Sequence, residues 1–192
     1  MNSPDAELVR RAARGEEHAV AALLAWARPM VLRYCLARLG LAGSGYATAE
    51  DVAQDVCLTV LRVLPRFQDQ GRPFAAFAYG IAARKVSESG RAARRRPAQT
   101  SLDALADRPD PAAGPEPLAI AADLSARLHR MLSRLSPVQR EVIILRVAVG
   151  LPTDEVAAAL AITPTRVRVT QHRALKRLRA LADEILDEVT PR

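Results

Sequence analysis

The chain has 192 residues, with 28 Lys and Arg against 21 Asp and Glu, so its formal net charge is +7. That length allows one domain or two small ones, and 49% hydrophobic with 26% charged residues is ordinary globular composition. Aromatics make up only 4%, so a core must be built from Ala, Leu, Val and Ile, which favours packed helices over a β-sandwich or barrel.

In chain order, residues 1–7 have neither a basic start nor an apolar block, so no secretory leader is expected. Leu8 and Val9 sit in a short helix that Gly15 can stop. A longer helix is predicted from about Glu16 to Leu39, with Pro29 as a kink or break. The chain contains no run of about 18 apolar residues, so no membrane span is expected. Gly40, Gly43, Ser44 and Gly45 form a loop, and Thr48 is placed as the N-cap of the next helix, with Glu50 and Asp51 in its first turn. That helix runs to Leu64, with Val52, Val56, Val60 and Val63 as its buried stripe. Asp51, Gln54, Asp55, Leu58 and Arg62 lie off the stripe. Arg66 to Arg72 is a loop, and Pro73 opens a helix reaching towards Arg96. Cys35 and Cys57 lie in no Cys-x-x-Cys pair, so they are expected to be partly buried thiols of a reduced, cytoplasmic protein.

Residues 97–117 break the pattern. They hold Pro97, Pro109, Pro111, Pro115 and Pro117 and four acids, Asp103, Asp107, Asp110 and Glu116, against Arg108 alone. Such a segment suits a linker better than the interior of a compact domain. All aromatics lie before it: Trp26, Tyr34, Tyr46, Phe67, Phe74, Phe77 and Tyr79. The sequence therefore predicts two small helical domains, 1–96 and 118–192, with different cores and a Pro-rich acidic linker at 97–117. In the second, Leu124, Leu128, Met131 and Leu135 follow helical spacing. Ser136-Pro137-Val138-Gln139 is a capping-box start, and Gly150 can end that helix. A helix over Asp154–Leu160, three turn residues and a new start at Thr163-Pro164 make a helix-turn-helix.

The positive charge falls in two blocks. One holds Arg66, Arg72, Arg84, Lys85, Arg91, Arg94, Arg95 and Arg96; the other holds Arg166, Arg168, Arg173, Lys176, Arg177 and Arg179. A basic run is often only a solvated face. On the last helix, however, Val167, Gln171, Ala174, Leu178 and Leu181 share one side. Thr165, Val169, His172 and Lys176 share the other, flanked by Arg166, Arg168 and Arg173. An apolar back with a front of long donors is what a major-groove helix requires. In the earlier block Phe74, Phe77 and Ile81 share a core face, while Tyr79 points away as a candidate stacking ring. Arg84, Glu88, Arg91 and Arg95 form a stripe, an arrangement suited to unpaired bases. His18, His129 and His172 are scattered, and no Gly-rich phosphate loop or serine elbow is present, so neither an enzyme nor a cofactor or metal site is expected.

These residues match a family pattern. Thr48-Ala49-Glu50-Asp51-Val52-Ala53-Gln54-Asp55-Val56 resembles the core-polymerase-binding motif of bacterial sigma factors. The stretch from Phe74 to Lys85, with Arg91 and Arg94, resembles the −10 region of extracytoplasmic-function (ECF) sigma factors. Leu135 through Arg179, with Glu155-Val156-Ala157 and His172-Arg173-Ala174-Leu175, resembles their −35 helix-turn-helix, and the whole looks like the actinobacterial SigD-like group. Phe77 stands where the family often has Trp, Arg84 where Asn is common, Glu88 where Asp is common, and Pro152 where Ser usually caps.

The resemblance implies an all-α promoter-specificity subunit of RNA polymerase. Asp51, Gln54, Asp55, Leu58, Leu61 and Arg62 would grip the coiled coil of the β′ subunit, and the second domain would meet the β flap. Arg72, Tyr79, Arg84, Lys85, Glu88, Arg91, Arg94 and Arg95 would open and hold the −10 element. Thr165, Arg166, Arg168, Val169, His172, Arg173 and Lys176 would read the −35 duplex. Core RNA polymerase and promoter DNA are the implied partners, the family admits an anti-sigma factor, and no membrane insertion is implied. Two other readings compete: a LuxR-like helix-turn-helix regulator that is not a polymerase subunit, and a helical adaptor that binds only protein.

Overall fold

The computed structural model describes residues 3–39, 45–68, 71–95 and 126–189; the side chains of 45–48, 93–95 and 184–189 lie outside the description. The proposed linker at 97–117, the start near Leu118 and Leu124 all fall outside the described residues. Within them every regular element is helical.

Helix α1 spans Ala6–Ala13; Asp5 caps it by accepting a bond from the Leu8 N–H at 2.6 Å. Gly15, at φ +83°, takes the left-handed turn out of it, a conformation that a Cβ disfavours. Helix α2, Glu17–Leu39, is the spine of the molecule. Pro29 lies inside it and does not end it. The proline lacks the N–H for one backbone bond, yet Ala27, Met30, Val31, Tyr34 and Cys35 are buried on both sides of it, so tertiary packing holds the helix through the gap. By length and composition α2 could also cross a membrane, with mean hydropathy 1.3, although charged residues interrupt its apolar run. In the structure its buried face packs in the protein core.

Helix α3 spans Gly45–Val63, so Thr48 lies within it rather than capping it. Nothing in Gly45-Tyr46-Ala47 forbids helix, and a cap-competent residue marks only one available start. The buried stripe is Ala49, Ala53, Val56, Val60 and Leu64, whereas Val52 and Val63 are half-buried. The valines alone place the stripe to one side because Ala49 and Ala53 belong to the buried face. A 3-10 turn, Leu64–Arg66, follows, and α4 spans Phe74–Arg95. Its Ala75, Ala78, Ala82 and Val86 are buried on α2 and α3.

Helix α5 covers 126–133. Arg140 supplies donors to the carbonyls of Leu132, Ser133 and Leu135 at 2.9–3.3 Å, satisfying acceptors that a helix end leaves open. Helix α6, Pro137–Ile143, starts on the expected capping box: the Gln139 N–H donates to Ser136 Oγ at 3.3 Å, and the Ser136 N–H donates to Gln139 Oε1 at 3.1 Å. It continues as a π-helical turn, Ile144–Val149, and ends at left-handed Gly150. Helix α7 is Thr153–Leu160 and α8 is Pro164–Val189, joined by Ala161-Ile162-Thr163. Ala161 takes the left-handed conformation at φ +54°, and Thr163 Oγ accepts the Arg166 N–H at 3.2 Å.

The two helical sets do not keep separate cores. Val142, Ile144, Leu145, Val149, Val156 and Val167 join one cluster with Val9, Leu23, Val31, Tyr34, Val56 and Phe74. Ile143 faces the other way, into a small cluster with Leu132, Leu135 and Ala174. Four consecutive buried residues cannot share one side of a helix. They are all buried because α6 lies between two apolar surfaces. One of these is the N-terminal half, with α2 against the π turn and α4 against α7.

Candidate nucleic-acid interface

On α8 the predicted division holds in the geometry. Val167 and Ala174 are fully buried, and Gln171, Leu175 and Leu178 are half-buried against α6. Arg146 Nε donates to Gln171 Oε1 at 3.2 Å and its Nη1 to the Leu151 carbonyl, fastening the helix-turn-helix across its back. Thr165, Arg166, Arg168, Val169, His172, Arg173 and Lys176 are all exposed. Among the described residues no carboxylate pairs with Arg166, Arg168, Arg173 or Lys176, so this face carries uncompensated positive charge of the kind that draws phosphate.

The α4 region is different. Phe74 is buried among Trp26, Phe67 and Phe77, with ring centroids 6.1, 5.8 and 5.6 Å away. Arg84 pairs with Glu88 at 2.9 Å on the surface of the helix. That arginine also holds the Glu88 carboxyl below its ordinary range. Lys85 Nζ lies 3.7 Å from Asp55 Oδ2, so it reaches back to α3. Arg91 is exposed; the helix includes Arg94 and Arg95, whose side chains lie outside the description. A cavity of about 500 Å³ opens beside Arg66, Phe67, Gln68, Arg72, Ala76 and Phe77.

Tyr79 is not the exposed ring expected. It is half-buried, edge-to-face with Tyr34 at 5.3 Å, and its hydroxyl donates to Glu141 Oε2 at 3.2 Å. Burial and the adjacent carboxylate push its phenol well above the ordinary value. Arg72 is exposed, yet its Nη2 donates to the Ala158 carbonyl at the end of α7, 2.7 Å away.

On α3, Asp51, Gln54, Asp55, Leu58 and Arg62 are exposed, and Leu61 is half-buried. Leu58 is 48% exposed, a large apolar side chain open to water. It lines a groove of about 470 Å³ to which α2 contributes Leu24, Arg28 and Leu32. Arg28 and Glu50 pair across it at 3.4 Å. Sequence reading missed the α2 wall because only packing brings the two helices together. Cys57 lies in the same groove, half-buried; Cys35 is fully buried, its thiol pushed up to about 12 by burial.

Comparison with known proteins places this geometry. Residues 22–96 match Sigma-70 region 2, and residues 125–178 match Sigma-70, region 4. The ECF RNA polymerase sigma factor ShbA of Streptomyces griseus is 47% identical over 180 residues, covering 92% of this chain and 94% of ShbA. The chain belongs to the ECF RNA polymerase sigma factors. SigD of Mycobacterium tuberculosis is 48% identical over 182 residues, covering 93% of this sigma factor and 82% of SigD. Among solved structures, CnrH in complex with the cytosolic domain of CnrY superposes with a TM-score of 0.63 at 26% identity, covering 92% of this chain and 96% of that one. Membership removes the LuxR-like and adaptor readings. It also gives the helix-turn-helix its context, as the region 4 half of a sigma factor whose region 2 half carries α2, α3 and α4.

Proposed function

We propose that this ECF sigma factor divides promoter recognition between its two halves. Domain 1–96 docks on core RNA polymerase and takes the −10 element as unpaired strand; domain 118–192 meets the β flap and reads the −35 element as duplex. The observation that carries the reading is the α8 surface. Seven residues picked from sequence as a groove-facing set are all exposed, while Val167 and Ala174 behind them are fully buried. Arg168 and Arg173 supply donors for base edges and phosphates. On α3, the exposed Asp51, Gln54, Asp55, Leu58 and Arg62 with Leu61 suit the β′ coiled coil, an apolar centre ringed by polar groups being the ordinary anatomy of a protein interface. On the −10 side the cavity beside Arg72 and Phe77 can receive a flipped base. Arg84, Lys85, Glu88, Arg91, Arg94 and Arg95 track the strand, with Tyr79 as the stacking ring once freed. CnrH was solved with the cytosolic domain of CnrY; a protein partner here, such as an anti-sigma factor, has an apolar groove of about 370 Å³ available between α2, α5, α6 and α8.

Run-off transcription with purified core polymerase tests the function. Specific transcripts that depend on added sigma factor are expected. Core polymerase that neither binds the chain nor starts at any promoter in its presence would defeat the proposal.

A further inference from the structure

Among the described residues polar contacts at three places join the halves of the chain, and they converge on the proposed strand-capture side of the first. At the centre is Glu141 of α6. Its Oε2 accepts the hydroxyls of Tyr34 and Tyr79, each at 3.2 Å, and its Oε1 lies 3.0 Å from Arg38 Nη1. Beside it, Arg72 Nη2 donates to the Ala158 carbonyl at 2.7 Å. Further along, the Ser3 N–H donates to Glu155 Oε1 at 3.2 Å, while Ser3 Oγ accepts the Ala75 N–H at 3.3 Å, so α4 and α7 are bridged through the N-terminal segment.

The occupied groups are those a single strand would need: Tyr79 to stack and Arg72 at the mouth of the cavity. The other two surfaces are open in the same structure. Gln54, Asp55 and Leu58 on α3, and the whole α8 set, are exposed. The closed packing is also imperfect. Arg38 Nε and Glu155 Oε2 are both buried without a partner among the described residues, and both belong to this seam. A polar network left partly unsatisfied is one that can be released. Glu141 Oε2 accepts from both tyrosine hydroxyls, so loss of the carboxylate would leave Arg38 and two hydroxyls facing one another with no anion between them.

We propose that this seam is an autoinhibitory latch. Glu141, by holding Tyr34, Tyr79 and Arg38, keeps the C-terminal helices against α4, so the free chain presents its polymerase and −35 faces but not its −10 strand site. This rests on the −10 reading proposed above. A closed state that cannot take the strand lowers apparent strand affinity by the fraction of molecules that are open.

The test uses the full chain with Glu141→Gln and Tyr34→Phe. The second variant keeps net charge unchanged and removes only one hydroxyl, which guards against misfolding and against affinity gained through charge alone. Asp154→Asn, on the exposed surface of α7, controls for the lost negative charge in the first. Small-angle scattering reads opening. Fluorescence anisotropy reads binding of a labelled random-sequence single strand of about 12 nucleotides and of a random-sequence duplex. Glu141→Gln should enlarge the radius of gyration and raise single-strand affinity about fivefold or more, with duplex affinity held within about twofold. Tyr34→Phe should move both in the same direction by less, and Asp154→Asn should move neither. Unchanged scattering in both latch variants would overturn the latch itself. Opening without a gain in single-strand affinity would overturn the proposal through the strand-binding reading on which it depends.

Discussion

The two basic helices differ in state more than in charge. On α8 the cations point to water with no described carboxylate among them, and the apolar back is fixed by Val167, Ala174 and the Arg146–Gln171 bond. Around α4, Arg84 is paired with Glu88, Lys85 reaches Asp55, Tyr79 is held by Glu141 and Arg72 by Ala158. A duplex reader can be built in advance because the duplex it meets already has its shape. On the proposed division of labour a strand reader has no ligand until the duplex opens, and the groups assigned to it here rest on partners within the chain.

The largest effect should follow from breaking the back of α8. Val167 is fully buried, so Val167→Asp places an unpaired carboxylate in the core at a cost of about 4 kcal/mol or more. Denaturant melts should shift far to lower midpoint, and −35 duplex binding should disappear with the fold. Next, Arg168→Ala should leave the melt unchanged and cost about 1–3 kcal/mol of discrimination at one −35 base pair, while Arg173→Ala weakens all duplexes and flattens the salt dependence. Selection of bound duplexes at two salt concentrations separates the two. Ser136→Ala removes the capping box behind that domain and should lower stability by about 0.5–2 kcal/mol without changing sequence preference, as read by thermal unfolding beside duplex binding. Gln54→Ala with Asp55→Ala sharpens the contrast from the polymerase side. Asp55 is exposed and its partner Lys85 half-buried, so loss of the pair should change stability by less than about 1 kcal/mol while core-polymerase affinity, measured by co-elution, falls clearly.

The smallest effect concerns Glu155. Burial raises its carboxyl above the ordinary range, so the folded chain binds that proton more tightly than the unfolded chain does. Its contribution is therefore favourable at low pH and is lost as pH rises through the raised value. Glu155→Gln should melt slightly higher at neutral pH and show a flatter pH profile; an unchanged profile would mean that burial leaves this carboxyl unaffected.

Local chemistry made much of the fold readable. Ser136, Pro137 and Gln139 announce a helix start, Gly15 and Gly150 announce stops, and the α8 periodicity separates back from front without any tertiary information. What stayed hidden depends on distant contacts. Glu141 reads as one more helical carboxylate; only folding brings Tyr34, 107 positions away, to its oxygen. The shared core was concealed for the same reason, since Val142 to Leu145 looks like an ordinary apolar run until two surfaces close on it. The α3 stripe was misplaced because alanines weigh little in a hydrophobic pattern yet allow close helix approach. The α2 wall of the groove beside Leu58 needed the α2–α3 packing itself.

Permanganate reactivity of unpaired thymines, in holoenzyme assembled with wild-type chain or with the double substitution Arg84→Ala and Arg91→Ala, tests the division of labour most directly. Wild-type holoenzyme should expose reactive thymines around the −10 element. The double variant should bind core polymerase and protect the −35 duplex as before, yet lose most of that reactivity, because stacking worth about 1–3 kcal/mol per base can no longer be joined by phosphate pairing along α4. Undiminished reactivity in the double variant would contradict strand capture by this helix.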